Sequence, residues 1–184
     1  MISHENACKL LNQHIQNANM IKHCVASEAV LRAIALKMGQ NPDEWGLAGL
    51  LHDIDAEITN ADPYKHGPHA AIILDDLLTP EAIDAIVMHN EVASGKERTT
   101  VFQHALAAGE TITGLIMATA LVYPDKKLAS VKTKSITKRM KEKAFAASVN
   151  RETILECELI GIPIQDFAEL ALVAMQGISD ELGF

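Results

Sequence analysis

Apolar residues recur at helical spacing along most of this chain, and residues that begin or end helices stand at nearly every break. Gly39 follows one apolar segment, Asn41-Pro42 precedes the next, and Thr79-Pro80 precedes another. Asparagine and threonine cap helix N-termini, proline suits the first turn, and glycine commonly follows the last turn. Aromatic residues make up only 4 % of the chain, and the abundant Ala, Leu and Ile favour helices over a β-sandwich. We therefore predict an all-α fold without a sheet.

The same signals give approximate positions for about eight helices. The predicted helices cover residues 20–38, 41–53, 66–78, 80–89, 100–122, 133–147, 150–161 and a last segment that begins near Pro163. Polar loops are predicted over 54–65 and 91–99, and Thr100 with Gln103 matches a capping box at the start of the long fifth helix. A length of 184 residues suits one domain with a sizeable core.

The charge of the chain limits the partners that it suits. A net charge of −8 argues against general nucleic-acid binding and against binding to a membrane surface. The charge is uneven, because eight of the 16 lysines and arginines lie between Lys126 and Lys143. This basic stretch overlaps the predicted helix 133–147 and has two interpretations. It is either a solvated, salt-bridged face or a face near a pocket that attracts a phosphorylated substrate.

The cysteines and the N-terminus favour a cytoplasmic location. Cys8, Cys24 and Cys157 are odd in number, far apart and without CxxC spacing, which is typical of reduced thiols. The N-terminus MISHENACKL lacks the apolar core of a signal peptide. No stretch approaches the roughly 20 apolar residues that a membrane-spanning helix needs, so no membrane contact is expected.

The pair His52-Asp53 ends the apolar run 46–51 and is the first sign of chemistry. An imidazole and a carboxylate at the edge of a core are costly unless a partner satisfies them. Both groups are common metal ligands. The pair therefore favours a metal site, although a simple hydrogen-bonded pair is the plainer alternative.

Two further residues complete a candidate ligand set. His23 shares a helical face with Val30 and Ile34, so its imidazole is expected to point inward. Glu110 lies in the middle of the long fifth helix beside small residues, which leave room for a buried carboxylate and an ion. The set of two histidines and two carboxylates is His23, His52, Asp53 and Glu110. Such a set suits Mn, Fe, Zn, Co or Ni better than Mg.

The order of these residues resembles a known family, the HD-domain metal-dependent phosphohydrolases. The segment GLLHDID is similar to the HDIG variant of the family motif, with Asp55 where glycine is usual. The segment ALAAGETITGLI is similar to the one that holds the fourth ligand, and Glu110 stands there in place of the usual Asp. The extra methylene of Glu110 bears on both metal affinity and geometry.

The resemblance also implies how the chain is organised. It places the core of an HD domain at about residues 20–125. The stretch KSITKRMKEKAFAASVNR, in the C-terminal extension 126–184, is similar to the end of small stand-alone HDIG proteins. We therefore expect a single HD-like helical domain over residues 1–184.

The resemblance implies a second metal site as well. In family members with two metals, one histidine opens the helix after the His-Asp loop and another ends the next helix. His66 and His89 match these two positions, while Asn90 stands where some subfamilies have another histidine. One or two divalent ions are therefore expected, and the alternative for His66 and His89 is that they line the pocket and bind phosphate.

Together these features predict an enzyme, a metal-dependent phosphohydrolase with Asp53 as the catalytic residue. A bound metal would activate water and polarise a phosphoryl oxygen. The expected substrate is a small phosphate ester, for example a nucleotide, with Lys96, Arg98, Lys134 and Arg151 as candidate contacts. Two alternatives remain open: a di-iron oxygenase of the HD type, and a ligand-sensing module that keeps its metal without turnover. No oligomeric state follows from the sequence.

Overall fold

The computed structural model describes residues 1–184, and all of its regular secondary structure is helical. The eleven α-helices are α1 (His4–His14), α2 (Ala18–Met38), α3 (Pro42–Leu51), α4 (Pro68–Ile73), α5 (Pro80–His89), α6 (Glu91–Ser94), α7 (Val101–Leu121), α8 (Thr133–Met140), α9 (Arg151–Leu155), α10 (Ile164–Gln176) and α11 (Ser179–Leu182). Single turns of 3-10 helix cover Leu128–Ser130 and Glu156–Glu158. The all-α prediction is confirmed.

The predicted caps form where the sequence places them. Gly39 ends α2 in the left-handed conformation, with φ of 67°. The Asn41 side chain accepts hydrogen bonds from the first turn of α3, and Thr79 does the same for α5. Thr100 and Gln103 form the reciprocal capping box at the start of α7. These helices begin within a residue or two of the predicted positions because local chemistry defines their starts.

Other boundaries differ from the prediction. Only Pro68–Ile73 is helical in the predicted segment 66–78, since Gly67 has φ of 98° and excludes residues before Pro68 from the helix. The basic helix ends at Met140 instead of residue 147, and the following residues form turns. The predicted loop 91–99 contains the one-turn helix α6, and α1 was not predicted.

The buried apolar side chains form one cluster of 42 residues that extends from Ala7 to Leu182. The two 21-residue helices α2 and α7 pack together near its centre, and α3 packs against α2. Glycines allow both close approaches. A Cβ on Gly49 would lie 2.8 Å from the Ser27 carbonyl oxygen, and one on Gly109 would lie 2.6 Å from Leu31 Cδ2. This packing brings together the parts of α2, α3 and α7 that carry the candidate ligands.

One helix is apolar enough to resemble a membrane span, which the sequence analysis did not anticipate. Val101–Leu121 passes a test of length and composition, but 61 % of its most apolar window is buried among the other helices. The core helix of a folded domain passes the same test. The apolar character of α7 is therefore explained by its central position.

Candidate metal centre

Asp53 lies at the middle of a cluster of four histidines. Its Oδ1 atom is 3.1 Å from His66 Nε2, 3.4 Å from His52 Nε2 and 3.5 Å from His89 Nε2. Its Oδ2 atom is 3.6 Å from His23 Nε2. All five side chains are largely or fully buried. The fold thus brings together five of the six predicted metal ligands.

These residues divide into two compact groups that share Asp53. One group contains His23 and His52 with Asp53, and the other contains His66 and His89 with Asp53. Within each group, one ligand atom from every residue lies within 4.8 Å of the others. A carboxylate shared between two histidine pairs could contribute to holding two metal ions.

Glu110 lies at the edge of the first group. Its Oε2 atom is 3.5 Å from His23 Nε2, and its Oε1 atom accepts a hydrogen bond from the Thr111 hydroxyl. Burial raises the pKa of the Glu110 carboxyl, and the neighbouring histidines only partly offset the effect. Glu110 is not part of either compact group, so its role as the fourth ligand stays a prediction.

Each histidine is oriented by a hydrogen bond on its Nδ1 atom. His52 Nδ1 donates to the Gly49 carbonyl at 2.8 Å, His66 Nδ1 donates to Asp55 at 2.7 Å, and His89 Nδ1 donates to the Ile86 carbonyl. Carbonyl and carboxylate oxygens only accept, so each of these imidazoles carries a proton on Nδ1. Such partners hold metal-ligating histidines in position in known sites.

Thr113 orients the fourth histidine. Its hydroxyl donates to the Glu110 carbonyl at 2.6 Å and is 2.9 Å from His23 Nδ1. Because that hydroxyl proton is already used, Thr113 accepts from His23 Nδ1. The hydrogen-bond pattern therefore assigns the same tautomer to all four imidazoles.

This arrangement directs all four Nε2 atoms at one another and at Asp53. His23 and His52 approach to 3.2 Å between their Nε2 atoms, and His66 and His89 approach to 2.9 Å. Two nitrogen lone pairs at such distances repel unless a proton or a metal ion lies between them. The donor set, imidazole nitrogens with a carboxylate, is one that divalent transition metals prefer. The residues therefore fit a metal centre.

The electrostatics of the cluster support the same conclusion. Burial lowers the pKa of His52 to about 3, so this imidazole stays neutral and can donate its lone pair to a metal. Burial alone would raise the pKa of Asp53, but the neighbouring His52 and hydrogen bonds from His66 and His89 outweigh it and hold that pKa well below its usual range. Burial lowers the pKa of His66, yet the hydrogen bonds to Asp53 and Asp55 prevail and raise it to about 10. A proton on His66 thus takes the place that a metal cation would occupy.

Asp55 has a role that the sequence analysis missed. It is fully buried, and its Oδ2 atom accepts from the backbone N–H groups of Gly67 and Ala70, both at 2.9 Å. Since the first turn of α4 has no cap of its own, Asp55 caps it from a distance of twelve or more residues along the chain. The same carboxylate holds His66, so one side chain fixes both the helix and the ligand before it. The signal was the aspartate at the glycine position of the HDIG motif.

None of the four predicted substrate contacts belongs to the two ligand groups. Arg98 is buried, its guanidinium bonds to Glu156 at 2.7 Å, and it also donates to the Met88 and His89 carbonyls. Arg151 donates to backbone carbonyls of the turns before α9, including Ala146 and Val149 at 2.6 Å each. Both arginines therefore have internal partners, a geometry that argues against direct substrate contact. Lys96 and Lys134 are exposed.

A cavity of 330 Å³ opens at the cluster. Its walls come from the centre and from the segment before α9: His23, His89, Glu110, Thr111, Gly114, Ser148, Val149, Asn150 and Thr153. No lysine or arginine lines it. A small molecule that enters this cavity meets imidazoles, one carboxylate, hydroxyls and an amide.

The fold and the site define an all-helical protein with a buried histidine–aspartate centre suited to divalent metal ions. A family model described as the HD domain matches residues 20–121, which is more than half of the chain. The chain therefore belongs to the HD-domain family, and that part of the resemblance is confirmed. HD domains are in general metal-dependent phosphohydrolases, which agrees with the ligand cluster. Comparisons with curated proteins and with solved structures gave no match.

Proposed function

We propose that this protein is a metal-dependent phosphohydrolase that acts on a nucleotide or another small phosphate ester in the cytoplasm. The observation that carries the proposal is the convergence of four imidazole Nε2 atoms on the Asp53 carboxylate. Membership of the HD-domain family supports hydrolysis as the chemistry. The three free cysteines agree with a reducing compartment.

The residues of the cluster form two groups, and each group would hold one metal ion. His23 and His52 with Asp53, and with Glu110 at the edge, would hold one ion; His66 and His89 with Asp53 would hold another. Bound ions of this kind supply a Lewis acid and make hydroxide accessible at neutral pH. Ions that accept nitrogen ligands, such as Mn, Fe, Zn, Co or Ni, suit the set better than Mg.

Side chains and backbone carbonyls of the protein orient the attacking water and the imidazole ligands, and Asp53 supplies a negative charge. Asp53 is ionised at neutral pH, so it can orient the attacking water by accepting a hydrogen bond from it. Hydrogen bonds at the Nδ1 atoms keep the four imidazole Nε2 atoms directed inward. The partners in these bonds are Gly49, Asp55, Ile86 and Thr113. In the hydrolysis, a bond from water oxygen to phosphorus forms as the ester P–O bond breaks, and the leaving alcohol takes up a proton.

The experiment that tests this proposal combines metal analysis with activity. Purified protein is analysed for bound elements and then assayed with Mn, Fe, Zn, Co, Ni and Mg on a panel of phosphomonoesters and phosphodiesters. We expect at least one metal to be retained and at least one ester to be hydrolysed only when metal is present. Tightly bound iron with an optical band and without hydrolysis would favour the oxygenase. Bound metal with no turnover of any kind would favour a sensing module.

A further inference from the structure

A second, larger cavity lies between α8 and the start of α9 and α10. It has a volume of 610 Å³, and we refer to it as the lysine groove. Four lysines line it, namely Lys134, Lys138, Lys141 and Lys143, together with Arg151 and the apolar side chains of Met140, Leu155 and Ile164. A concave site of this size is in the range of small-molecule pockets.

The lysines of the groove are available to a ligand. All four are exposed, and only Lys138 has a carboxylate within ion-pair distance, Glu142 at 3.6 Å. Arg151 donates to backbone carbonyls through both of its terminal nitrogens, so it holds the wall of the groove in place. The local charge contrasts with the remainder of the chain. Residues 126–143 contain eight of the lysines and arginines and one glutamate, whereas the remainder contains eight basic and 23 acidic residues.

A third hollow shares wall residues with both the lysine groove and the cavity at the candidate metal centre. That hollow has a volume of 360 Å³ and shares Lys143, Arg151 and Glu152 with the groove. It also shares Ser148, Val149 and Asn150 with the cavity at the candidate metal centre. The three hollows therefore lie in a row along the segment between α8 and α9, with metal ligands at one end and lysines at the other.

We propose that the lysine groove binds a second phosphate group of the substrate, while the ester that is cleaved lies at the metal centre. The substrate class is then a small ester with at least two phosphate-bearing positions, such as a nucleoside polyphosphate. This inference rests on the proposed phosphohydrolase function. It explains why no lysine or arginine lines the cavity at the metal centre. Lys143 lies in the adjoining hollow, and the other lysines line the groove beyond it. An extended nucleic acid is disfavoured because the remaining surface is acidic and repels a long polyanion.

The test uses the full chain and a charge-matched control. The groove variant is Lys138→Gln/Lys141→Gln/Lys143→Gln, and the control is Lys9→Gln/Lys37→Gln/Lys65→Gln, whose lysines are exposed on other parts of the molecule. Calorimetry measures the binding of inorganic tripolyphosphate to metal-free protein. Kinetics compare adenosine triphosphate with p-nitrophenyl phosphate, which has a single phosphate.

We expect the groove variant to bind tripolyphosphate about tenfold more weakly, because three exposed charge pairs are lost. Its KM for adenosine triphosphate should rise by a similar factor, whereas its kcat and its activity on p-nitrophenyl phosphate should not change. The control variant should behave as wild type in every assay. Such a result separates a local phosphate site from a general effect of net charge.

Several results would overturn the inference. Equal tripolyphosphate affinity in both variants would show that the groove binds no phosphate. Tighter, lysine-dependent binding of a single-stranded oligonucleotide would make the groove a nucleic-acid site. If wild type hydrolyses p-nitrophenyl phosphate but does not distinguish substrates by their extra phosphates, the inference fails while the proposed function stands. If nothing is hydrolysed, the proposed function fails, and tripolyphosphate binding then shows whether the groove is an anion site of another kind.

Discussion

Asp53 is the side chain that both histidine pairs share, and its environment separates a metal centre from an ordinary buried ion pair. The four imidazoles around it use their Nδ1 protons on Gly49, Asp55, Ile86 and Thr113. Their Nε2 atoms therefore all face one carboxylate that is already negative, and without a metal it is a proton on His66 that supplies positive charge there. A cation is the component that makes such an arrangement favourable.

The substitution Asp53→Asn tests this role directly. It keeps the shape of the side chain and removes its charge, so we expect metal affinity and turnover each to fall, turnover by about a hundredfold. The measurements are the amount of bound metal per protein, from elemental analysis, and the rate of ester hydrolysis. Asp75→Asn, at an exposed position, is the matched control and should match wild type. Full activity with full metal content in Asp53→Asn would remove Asp53 from the centre.

Asp55 predicts an effect on stability that depends on pH. Burial raises its pKa, but hydrogen bonds from His66, Gly67 and Ala70 outweigh burial, and the net shift is downward. A carboxyl with a lowered folded-state pKa stabilises the protein above its unfolded pKa, and this contribution is lost as the pH falls through the folded-state value. We expect Asp55→Asn to lower the free energy of unfolding at neutral pH by about 1–3 kcal/mol.

The measurement is urea denaturation of metal-free protein at several pH values. The difference between wild type and Asp55→Asn should shrink below about pH 4, where Asp55 of the unfolded chain begins to take up a proton, and it should be lost once the folded-state carboxyl is protonated as well. A difference that is constant from neutral to acidic pH would mean that the charge of Asp55 is not what stabilises α4 and His66. The neutral shape of the side chain would then account for the whole effect.

At the scale of the helices, the site depends on how closely α2 and α3 approach. Gly49 lies against the backbone of α2, and a Cβ there would also be 3.0 Å from the Glu28 amide nitrogen. Backbone atoms cannot move aside by a change of rotamer. The helices that carry His23 and His52 would separate, and the distance between their Nε2 atoms would increase.

We therefore expect Gly49→Ala to destabilise the protein by about 1–3 kcal/mol and to weaken metal binding. Gly46→Ala, one turn earlier in the same helix, is the control. Its Cβ would meet only the flexible, partly exposed side chain of Arg32 at 2.6 Å. Its effect should stay within about 1 kcal/mol, since alanine also favours the helix. The measurements are the denaturation midpoint and the amount of bound metal for each variant. Equal stability and equal metal content in the two variants would contradict a role for the close approach at Gly49.

The helices also show which parts of the fold can be predicted from sequence. The starts of α3, α5 and α7 depend on caps within four residues, and these were predicted correctly. The end of α8 is different: the chain after Met140 forms turns, and their Phe145 and Ala146 carbonyls accept hydrogen bonds from Arg151 of the next helix. The start of α4 depends in the same way on Asp55. Helix boundaries that depend on side chains far away in the sequence cannot be predicted from the local sequence pattern.

In the candidate site, too, sequence identifies the ligands, whereas their tertiary contacts are not visible in it. The four histidines and Asp53 belong to a motif with a defined order, so sequence was sufficient to select them, and the fold brings them together. The partner of His23, Thr113, is 90 residues away along the chain, and nothing in the spacing indicates the contact. The polar character of the loop 91–99 predicts Arg98 as a substrate contact, whereas the structure places its side chain in the interior. Its partner Glu156 is 58 residues away and becomes a neighbour only through tertiary packing.

At the scale of the whole molecule, the segment that the HD-domain family model matches is smaller than the unit that shares a core. The match ends at residue 121, but thirteen of the 42 residues in the apolar cluster lie beyond residue 125. They include Ile136, Ile154 and Phe167, each fully buried. The helix α10 packs directly on α2, so the C-terminal part covers the same helix that carries His23. The cavity at the metal centre likewise takes Ser148, Asn150 and Thr153 from beyond the matched segment.

We accordingly predict that a fragment of residues 1–125 does not fold on its own. Burying one large apolar side chain contributes about 1.5–3 kcal/mol, and a whole domain is stable by only about 5–15 kcal/mol. If only half of the thirteen core residues contribute, the fragment loses about 10–20 kcal/mol, which is as large as the whole stability of a typical domain. The fragment should show no cooperative thermal transition by circular dichroism and should bind a hydrophobic dye. The full chain should show a cooperative transition and should not bind the dye. Adding the separate peptide 126–184 should restore the transition, because the two pieces together hold the complete core. A cooperative transition in the fragment alone would mean that the C-terminal helices cover a core that is already stable, and that their contribution is limited to the walls of the substrate cavity.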